Sequence, residues 1–336
     1  MIERLVIAEE STGDNLTDKI ISNIPDANVI ITDNTSIYET DNIPSTLFLT
    51  RGSGRFIKDF PAPPDAPPAR EKYIITMLNC PFCCSYCYLQ VYLEHERMTV
   101  FTNVEDIKTE VREVISRDSP ERMTTGEMGD SLAIDHITGT TRDLLPLFSG
   151  TGTLYEARTK SSNIGHLLAG LTEGMDNLLI TWTMGPAESV RAAEPGTSSL
   201  TERLKAISAA TGTGIKIGIR LDPVIPFFYS PGLYKELLRD IADASEGRIY
   251  RFEIGIMRFP PGLWEQVRTR YPGSVLMRGE YSLAPDGKIK YFRPLRLRIY
   301  REIYRMIKEI FPLSPVELSM EPYGVWHGTG IPIPPE

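Results

Sequence analysis

The chain has few residues of the types that form disulfides, metal sites and membrane spans. Its 336 residues include only four cysteines and four histidines, and no apolar run reaches the length of a membrane span. The opening Met-Ile-Glu-Arg lacks the basic stretch of a secretory leader. An acidic chain of this kind, without a leader, is expected in a reducing compartment rather than in one where disulfides persist. The sequence therefore predicts a cytoplasmic globular protein with no membrane partner.

All four cysteines lie within eight positions, in the segment Cys80-Pro-Phe-Cys83-Cys84-Ser-Tyr86-Cys87. Cys80, Cys84 and Cys87 have the spacing C-x3-C-x2-C, which places three thiolates in one short loop. A structural zinc site needs a fourth ligand and usually takes two separated pairs, whereas no second cysteine pair exists here. Three thiolates suit a [4Fe–4S] cluster in which one iron keeps an open coordination position. The spacing favours this cluster over zinc and leaves Cys83 as a bystander thiol.

The hydrophobic pattern predicts an α/β protein. Residues 1–60 contain two apolar strand runs with a helical run between them, which predicts a small N-terminal α/β domain. Residues 61–70 form a proline-rich linker. From residue 71 to 336 strand and helix runs alternate, as in a parallel sheet covered by helices. The predicted strands are Tyr73–Leu78, Arg122–Met128, Leu154–Thr159, Leu178–Met184, Ile215–Ile225 and Ile249–Phe259.

Local signals predict helix starts and a hairpin. Asn103 stands where it could cap the helix that follows, and Ser199 with Glu202 three residues later forms a capping box. Pro285-Asp286-Gly287 predicts a turn between strands at 275–281 and 289–292. A basic helix follows, with its inner face formed by Ile299, Ile303, Met306 and Ile310.

Charge is distributed unevenly. The net charge is −8, but residues 248–308 carry 14 Lys/Arg against 5 Asp/Glu, and the remainder carries 22 against 39. This basic segment fits either a surface that faces a polyanion such as DNA or a solvated helix face.

Several motifs carry a family resemblance. C-x3-C-x-aromatic-C, with Tyr86 as the aromatic, resembles the signature of radical S-adenosylmethionine (SAM) enzymes, and residues 84–90 resemble the spore photoproduct lyases and their DNA-repair-photolyase-like relatives. Further segments agree in order over roughly residues 40–320: 130–139, Thr159-Lys160, 194–198 and Arg258-Phe259.

The resemblance implies a partial (β/α)6 TIM barrel with the small N-terminal domain and a C-terminal hairpin-helix extension. It implies a radical SAM enzyme that reductively cleaves SAM to a 5′-deoxyadenosyl radical. As a carbon–carbon lyase, such an enzyme would repair a thymine photoproduct in DNA. A reducing partner such as flavodoxin or ferredoxin would supply electrons, and the oligomeric state stays open.

The resemblance also implies roles for individual residues. Cys80, Cys84 and Cys87 would hold the cluster. Either Asp130 or Glu127, the latter in a Gly-Glu element, would bind the SAM amino group.

Four other residues are implied to act near SAM. Lys160 would pair with its carboxylate, and Thr183 would place a hydroxyl nearby. Tyr86 and Tyr88 match tyrosines that act near SAM or in hydrogen-atom relay.

Substrate contacts are implied in two places. Arg220 and Asp222 would line the substrate pocket, with a mutual ion pair as the alternative. The basic residues Lys288, Lys290 and Arg293 match a hairpin that grips damaged DNA.

The chain departs from the family at one position. The lyases carry a hydrogen-donor cysteine three residues before the aspartate that matches Asp130, and this chain has Glu127 there. A carboxylate cannot donate a hydrogen atom, so either Tyr86 and Tyr88 donate, Cys83 donates, or the substrate differs. Two other hypotheses stay open: radical modification of a peptide or small molecule, and a non-catalytic iron–sulfur or zinc-binding protein.

Overall fold

The computed structural model describes residues 2–34, 45–61, 63, 65–67, 70–94, 96–170 and 174–334. They divide into two compact units. The first consists of 1–60, 70–82 and 93–179, and the second of 61–69, 83–92 and 180–336. Four residues of the predicted linker, 62, 64, 68 and 69, lie outside the described residues. The predicted domain boundaries at 60 and 70 stay a prediction.

The strands are β1 Arg4–Ala8, β2 Asn28–Thr32, β3 Thr46–Thr50, β4 Ile57–Asp59, β5 Glu71–Ile74, β6 Met77–Leu78, β7 Met98–Phe101, β8 Arg122–Thr124, β9 Leu154–Thr159, β10 Leu178–Thr183, β11 Lys216–Val224, β12 Arg251–Ile256, β13 Arg258–Phe259, β14 Tyr281–Leu283, β15 Ile289–Tyr291 and β16 Val316–Leu318. The helices are α1 Asn15–Asn23, α2 Leu89–Tyr92, α3 Val104–Asp118, α4 Asp135–Thr138, α5 Thr140–Leu144, α6 Gly165–Leu168, α7 Ala187–Ala193, α8 Leu200–Ala210, α9 Pro231–Ser245, α10 Leu263–Arg270, α11 Arg293–Ile310 and α12 Tyr323–Thr329.

The first unit contains a five-stranded sheet in the order β2-β1-β3-β7-β6. The β1–β2, β1–β3 and β3–β7 pairs are parallel, and β6 joins antiparallel to β7. Its core comprises apolar side chains of β1, α1, β3 and β7, among them Leu5, Ile20, Leu49 and Val100, which are buried. The predicted strand–helix–strand order of residues 1–32 is confirmed, and the sheet also takes in β6 and β7 from beyond residue 70.

A second set of strands in this unit carries part of the candidate site. β4 pairs antiparallel with β5, and β5, β8 and β9 are mutually parallel in that order. The predicted strand 122–128 ends at Thr124, and the residues after it form the loop at the carboxyl end of β8. Asn103 stands before α3, but its side chain does not cap the helix. Its oxygen instead accepts from Gly52 N at 2.8 Å, and its amide donates to Gly52 O at 3.1 Å.

In the second unit β11, β12 and β16 are parallel neighbours, and β14–β15 is an antiparallel hairpin joined by β13. The capping box at Ser199 is confirmed, since Ser199 and Glu202 exchange both hydrogen bonds. The predicted strand 275–281 is wrong over most of its length: Val275–Met277 form a 3₁₀ turn, and the strand is Tyr281–Leu283. Burial of Ile299, Ile303 and Met306 confirms the amphipathic α11. Among the described residues no helix is both long and apolar enough to cross a bilayer.

Candidate functional site

The turn from Cys83 to Cys87 is held by a dense set of hydrogen bonds within the second unit. Cys87 N donates to Cys84 O at 3.0 Å, which closes a tight turn. The Gln90 side-chain amide donates to the carbonyls of Cys84, Ser85 and Cys87 at 3.3, 3.3 and 3.1 Å. These bonds order the backbone between two of the predicted cluster ligands.

The segment after α7 supports the same turn. Cys83 N donates to Pro195 O at 3.0 Å, and Ser85 N donates to Ala193 O at 2.8 Å. The cysteine turn is therefore attached by backbone bonds to the start of the Glu-Pro-Gly-Thr-Ser motif at 194–198, which the sequence had marked without assigning it a role.

The Tyr86 hydroxyl is held by Glu194, which is in turn held by Arg203. Its hydroxyl donates to the Glu194 carboxylate, whose other oxygen accepts from Arg203. The Arg203 side chain is completely buried, and that of Glu194 is 8% exposed. Removal from water, together with the nearby Glu194 carboxylate, raises the pKa of Tyr86 well above its ordinary value. The local sequence around Glu194 and Arg203 assigns neither residue a function.

Two other tyrosines accompany the turn. The Tyr88 ring meets Tyr92 edge-on, with centroids 6.0 Å apart. Tyr271 follows α10, and its pKa is raised by burial and by the neighbouring thiols of Cys83, Cys84 and Cys87. The fold thus brings Tyr271 to the cysteine turn from far along the sequence, and no local signal could have indicated it.

In the first unit, Asp130 is a buried structural acceptor at the carboxyl ends of β8 and β9. One carboxylate oxygen accepts from Leu132 N at 3.1 Å, Ala133 N at 2.9 Å and Thr159 Oγ1 at 2.7 Å. The other accepts from Lys160 N at 2.7 Å. Burial raises the pKa of Asp130 although these donors oppose the shift. Four donors occupy this carboxylate.

Glu127 stands nearby with its side chain 19% exposed and one oxygen 3.9 Å from Arg158 Nη1. The preceding residue, Gly126, packs so closely on β9 that a Cβ atom there would lie 2.8 Å from Arg158 O. A larger residue would push the Glu127 loop away from β9. Lys160, at the end of β9, is partly exposed. The first unit therefore brings Glu127, Asp130 and Lys160 to the same strand ends.

Thr183 ends β10 and belongs, at that end, to the second unit. Its side chain is buried, and its carbonyl accepts from Arg203 Nη1 at 2.7 Å. The Arg203 guanidinium therefore bonds to the Thr183 carbonyl and, through the Glu194 carboxylate, is linked to the Tyr86 hydroxyl.

Arg220 and Asp222, at the end of β11, form an ion pair at 2.8 Å. Arg258 adds a second contact to Asp222 at 3.0 Å, and the Ser319 hydroxyl oxygen accepts from both arginines at 3.2 Å. Burial alone would raise the pKa of Asp222, but Arg258 and Arg220 hold it well below its usual value. The mutual pairing that the sequence left as an alternative is present, and Arg220 also pairs with Glu253 at 3.3 Å, so two carboxylates accompany the two arginines.

The hairpin places its basic residues in different environments. Lys290 is buried, with Nζ 2.9 Å from Asp286 and 3.9 Å from Glu321. Lys288 Nζ lies 3.6 Å from the same Asp286, and burial lowers its pKa. Arg293 is exposed and donates to Gly324 O at 2.7 Å.

The cysteines have the chemistry that an iron–sulfur cluster requires. Among the described residues no group of three or more His, Cys, Asp or Glu is arranged as a metal site. The four cysteines are thiols rather than disulfides. Cys84 and Cys87 share the ordered turn, and Cys80 follows β6 and packs on the core of the five-stranded sheet. Thiolate donors at this spacing fit a cluster of the [4Fe–4S] type.

Among known proteins, this chain is similar in sequence to spore photoproduct lyases. A model of the family described as "Spore photoproduct lyase" matches residues 64–318. A spore photoproduct lyase of Geobacillus sp. (strain Y412MC61) is 28% identical over 264 residues, 74% of this chain and 76% of the relative. One from Bacillus subtilis (strain 168) is 27% identical over 162 residues, 47% of this chain and 46% of the relative.

Solved structures agree on the fold. An alanine variant of spore photoproduct lyase superposes with a TM-score of 0.79 at 21% identity, over 95% of this chain and 98% of the other. Another variant, solved with bound AdoMet and dinucleoside spore photoproduct, gives 0.76 at 21% identity over the same shares. The predicted α/β fold of the partial-barrel type is confirmed.

Proposed function

Because this chain belongs to the spore photoproduct lyase family, whose members are radical SAM lyases, we propose that it repairs a thymine photoproduct in DNA. The observation that carries the proposal is the family match over residues 64–318, which includes the Cys80, Cys84 and Cys87 loop. A likeness to a structure that holds AdoMet and dinucleoside spore photoproduct supports the same cofactor and substrate here.

Cys80, Cys84 and Cys87 are the proposed ligands of a [4Fe–4S] cluster. With SAM bound, the cluster supplies a 5′-deoxyadenosyl radical, and the protein positions and shields the reacting groups. The hydrogen bonds of the turn order the backbone between Cys84 and Cys87, so little chain entropy would be lost when metal binds.

For the SAM amino group we favour Glu127 over Asp130. The four donors that Asp130 already accepts would have to be given up before it could bind an ammonium, whereas Glu127 is partly exposed. Lys160 supplies a cation for the SAM carboxylate from the next strand end. Thr183 contributes its hydroxyl, with its backbone fixed by Arg203.

The final hydrogen atom must come from a group other than Glu127. Tyr88 is the proposed donor to the substrate radical, because it matches a tyrosine that the relatives use in hydrogen-atom relay. The Tyr86 hydroxyl donates to Glu194. Cys83 is exposed and is the second candidate. In each case the O–H or S–H bond breaks homolytically, a C–H bond forms on the substrate and the radical moves to the donor.

DNA is the proposed macromolecular substrate. Lys288 and Arg293 are the proposed phosphate contacts of the hairpin, whereas burial of Lys290 against Asp286 suits a role in holding the hairpin. The arginines around Asp222 are proposed to face the lesion. The target dinucleotide would leave the base stack to be reached.

The proposal is tested by anaerobic reconstitution of the full chain with iron and sulfide, followed by SAM, dithionite and irradiated DNA. We expect 5′-deoxyadenosine and loss of one thymine photoproduct. If 5′-deoxyadenosine forms without any change in the photoproducts, the substrate is instead a peptide or small molecule, the alternative that Glu127 in the donor position favours. Absence of 5′-deoxyadenosine would refute the radical SAM assignment. We expect cytoplasmic location, where thiols persist, and flavodoxin or ferredoxin as the electron donor.

A further inference from the structure

Arg203 has an unusual environment for an arginine. Its side chain is 0% exposed, and its guanidinium donates to four groups: Thr183 O at 2.7 Å, Ser198 O at 2.9 Å, Thr197 Oγ1 at 2.7 Å and Glu194. A buried guanidinium is tolerated only when its donors are satisfied in this way.

Glu194 connects this arginine to the cysteine turn. It lies directly after α7, and the carbonyls on either side of it accept from Ser85 N and Cys83 N. Its carboxylate joins Arg203 to the hydroxyl of Tyr86. Hydrogen bonds with one charged partner are stronger than neutral ones. The linked hydrogen bonds from Arg203 to Glu194 and from Tyr86 to Glu194 therefore fix the direction of the Tyr86 O–H bond.

Both residues sit on well-supported elements. Arg203 lies in the first turn of α8, whose start is fixed by the capping box of Ser199 and Glu202. A group used to position another is effective only when its own geometry is fixed, and here helix, cap and burial fix it.

We infer that Glu194 and Arg203 are positioning residues that hold Tyr86 and the Cys84–Cys87 turn in the geometry the reaction requires. This deepens, and in its catalytic part rests on, the proposed function. Neither residue need touch substrate: Glu194 acts through Tyr86, and Arg203 acts through Glu194 and the Thr183 backbone. With its hydroxyl donated to Glu194, Tyr86 can give up that hydrogen only if this bond breaks.

The test compares Glu194→Gln, Tyr86→Phe and the double variant in the full-length protein, with and without reconstituted cluster. Glutamine has the same shape but no charge, and phenylalanine removes only the hydroxyl. Glu188→Gln is the matched control, because Glu188 is an exposed residue of α7. Arg203→Lys is added because a lysine cannot serve four acceptors in a plane.

The first measurement is amide hydrogen exchange of the 83–87 segment. We expect about tenfold faster exchange in each single variant, the factor that one hydrogen bond to a charged group supplies. The double variant should exchange no faster than Glu194→Gln alone, because Tyr86→Phe removes a hydrogen bond that the loss of the Glu194 charge has already weakened. Unchanged exchange, or effects that multiply in the double variant, would overturn the inference.

The second measurement is the ratio of 5′-deoxyadenosine to repaired product. We expect this ratio to rise about tenfold in Glu194→Gln and Arg203→Lys with iron content unchanged, since a displaced Tyr86 uncouples radical formation from repair. A ratio equal to that of Glu188→Gln would assign the pair to folding alone and overturn the catalytic part. A wild type that forms no 5′-deoxyadenosine refutes the proposed function, and the exchange data then judge the positioning of Tyr86 separately.

Discussion

Asp130 and Glu127 are three residues apart and were equal candidates in the sequence, but the structure predicts opposite responses to the same change of acid to amide. In Asp130→Asn, the new carbonyl can keep the three donors on one oxygen, while the new amide faces Lys160 N, which is itself a donor. The variant loses the hydrogen bond from Lys160 N to the charged carboxylate, and the N–H donors of the new amide and of Lys160 face each other in a buried place. We expect the free energy of unfolding to fall by about 3 kcal/mol.

Urea unfolding of the full-length protein measures this loss. With a slope on the order of 3 kcal/mol per molar urea, the midpoint should fall by about 1 M. Glu127→Gln weakens the long 3.9 Å contact with Arg158 Nη1, an ion pair worth about 1 kcal/mol or less, and should shift the midpoint by about 0.3 M at most. The same Glu127 variant should weaken SAM binding to the reconstituted protein about tenfold, because an ion pair becomes a neutral contact.

The result that refutes this reasoning is specific. If Asp130→Asn unfolds at the wild-type midpoint yet binds SAM weakly, Asp130 contacts the cofactor and its hydrogen bonds are dispensable. Asp130→Ala serves as the control, because loss of the whole acceptor should destabilise the fold at least as much as the amide does.

Three further predictions follow from the second unit. Asp222→Asn should destabilise the protein by about 3 kcal/mol at neutral pH, because Arg258 loses its charged partner. The pKa of Asp222 in the folded protein lies below the unfolded value of about 3.9. The ionised carboxylate therefore adds to the free energy of unfolding above that pH, and this addition is lost as the pH falls further. The free energy of unfolding should consequently fall less steeply with acid in Asp222→Asn than in the wild type. Ser199→Ala should cost about 1 kcal/mol in thermal or urea unfolding through loss of the α8 cap. Lys288→Gln should lower the salt slope of DNA binding by about one counterion, whereas Lys290→Met should mainly lower stability; equal slopes in Lys288→Gln and wild type would exclude that phosphate contact.

Local patterns predicted much of the secondary structure because their causes are local. The capping box at Ser199 and the amphipathic face of α11 depend on spacings of three and four residues, and both are present. Asn103 stands at the N-cap position of α3 as predicted, but its side chain makes no capping bond, because its amide bonds instead to Gly52, distant in sequence, and to Asp106. An asparagine can either cap a helix or bond to a residue distant in sequence, and the packing of the neighbouring strands decides which of the two it does.

The sequence by itself determined the cysteine spacing, on which the prediction of an iron–sulfur cluster rests, and the family, which its model matches over residues 64–318. Thiolate count and separation are properties of the chain alone. Only the tertiary structure decided the environment of each acid, because distant strands and helices donate hydrogen bonds to the carboxylates of Asp130 and Glu194, whereas the Glu127 side chain is 19% exposed beside Arg158. Burial makes each of these bonds costly to break, and burial is fixed by the fold as a whole rather than by any segment.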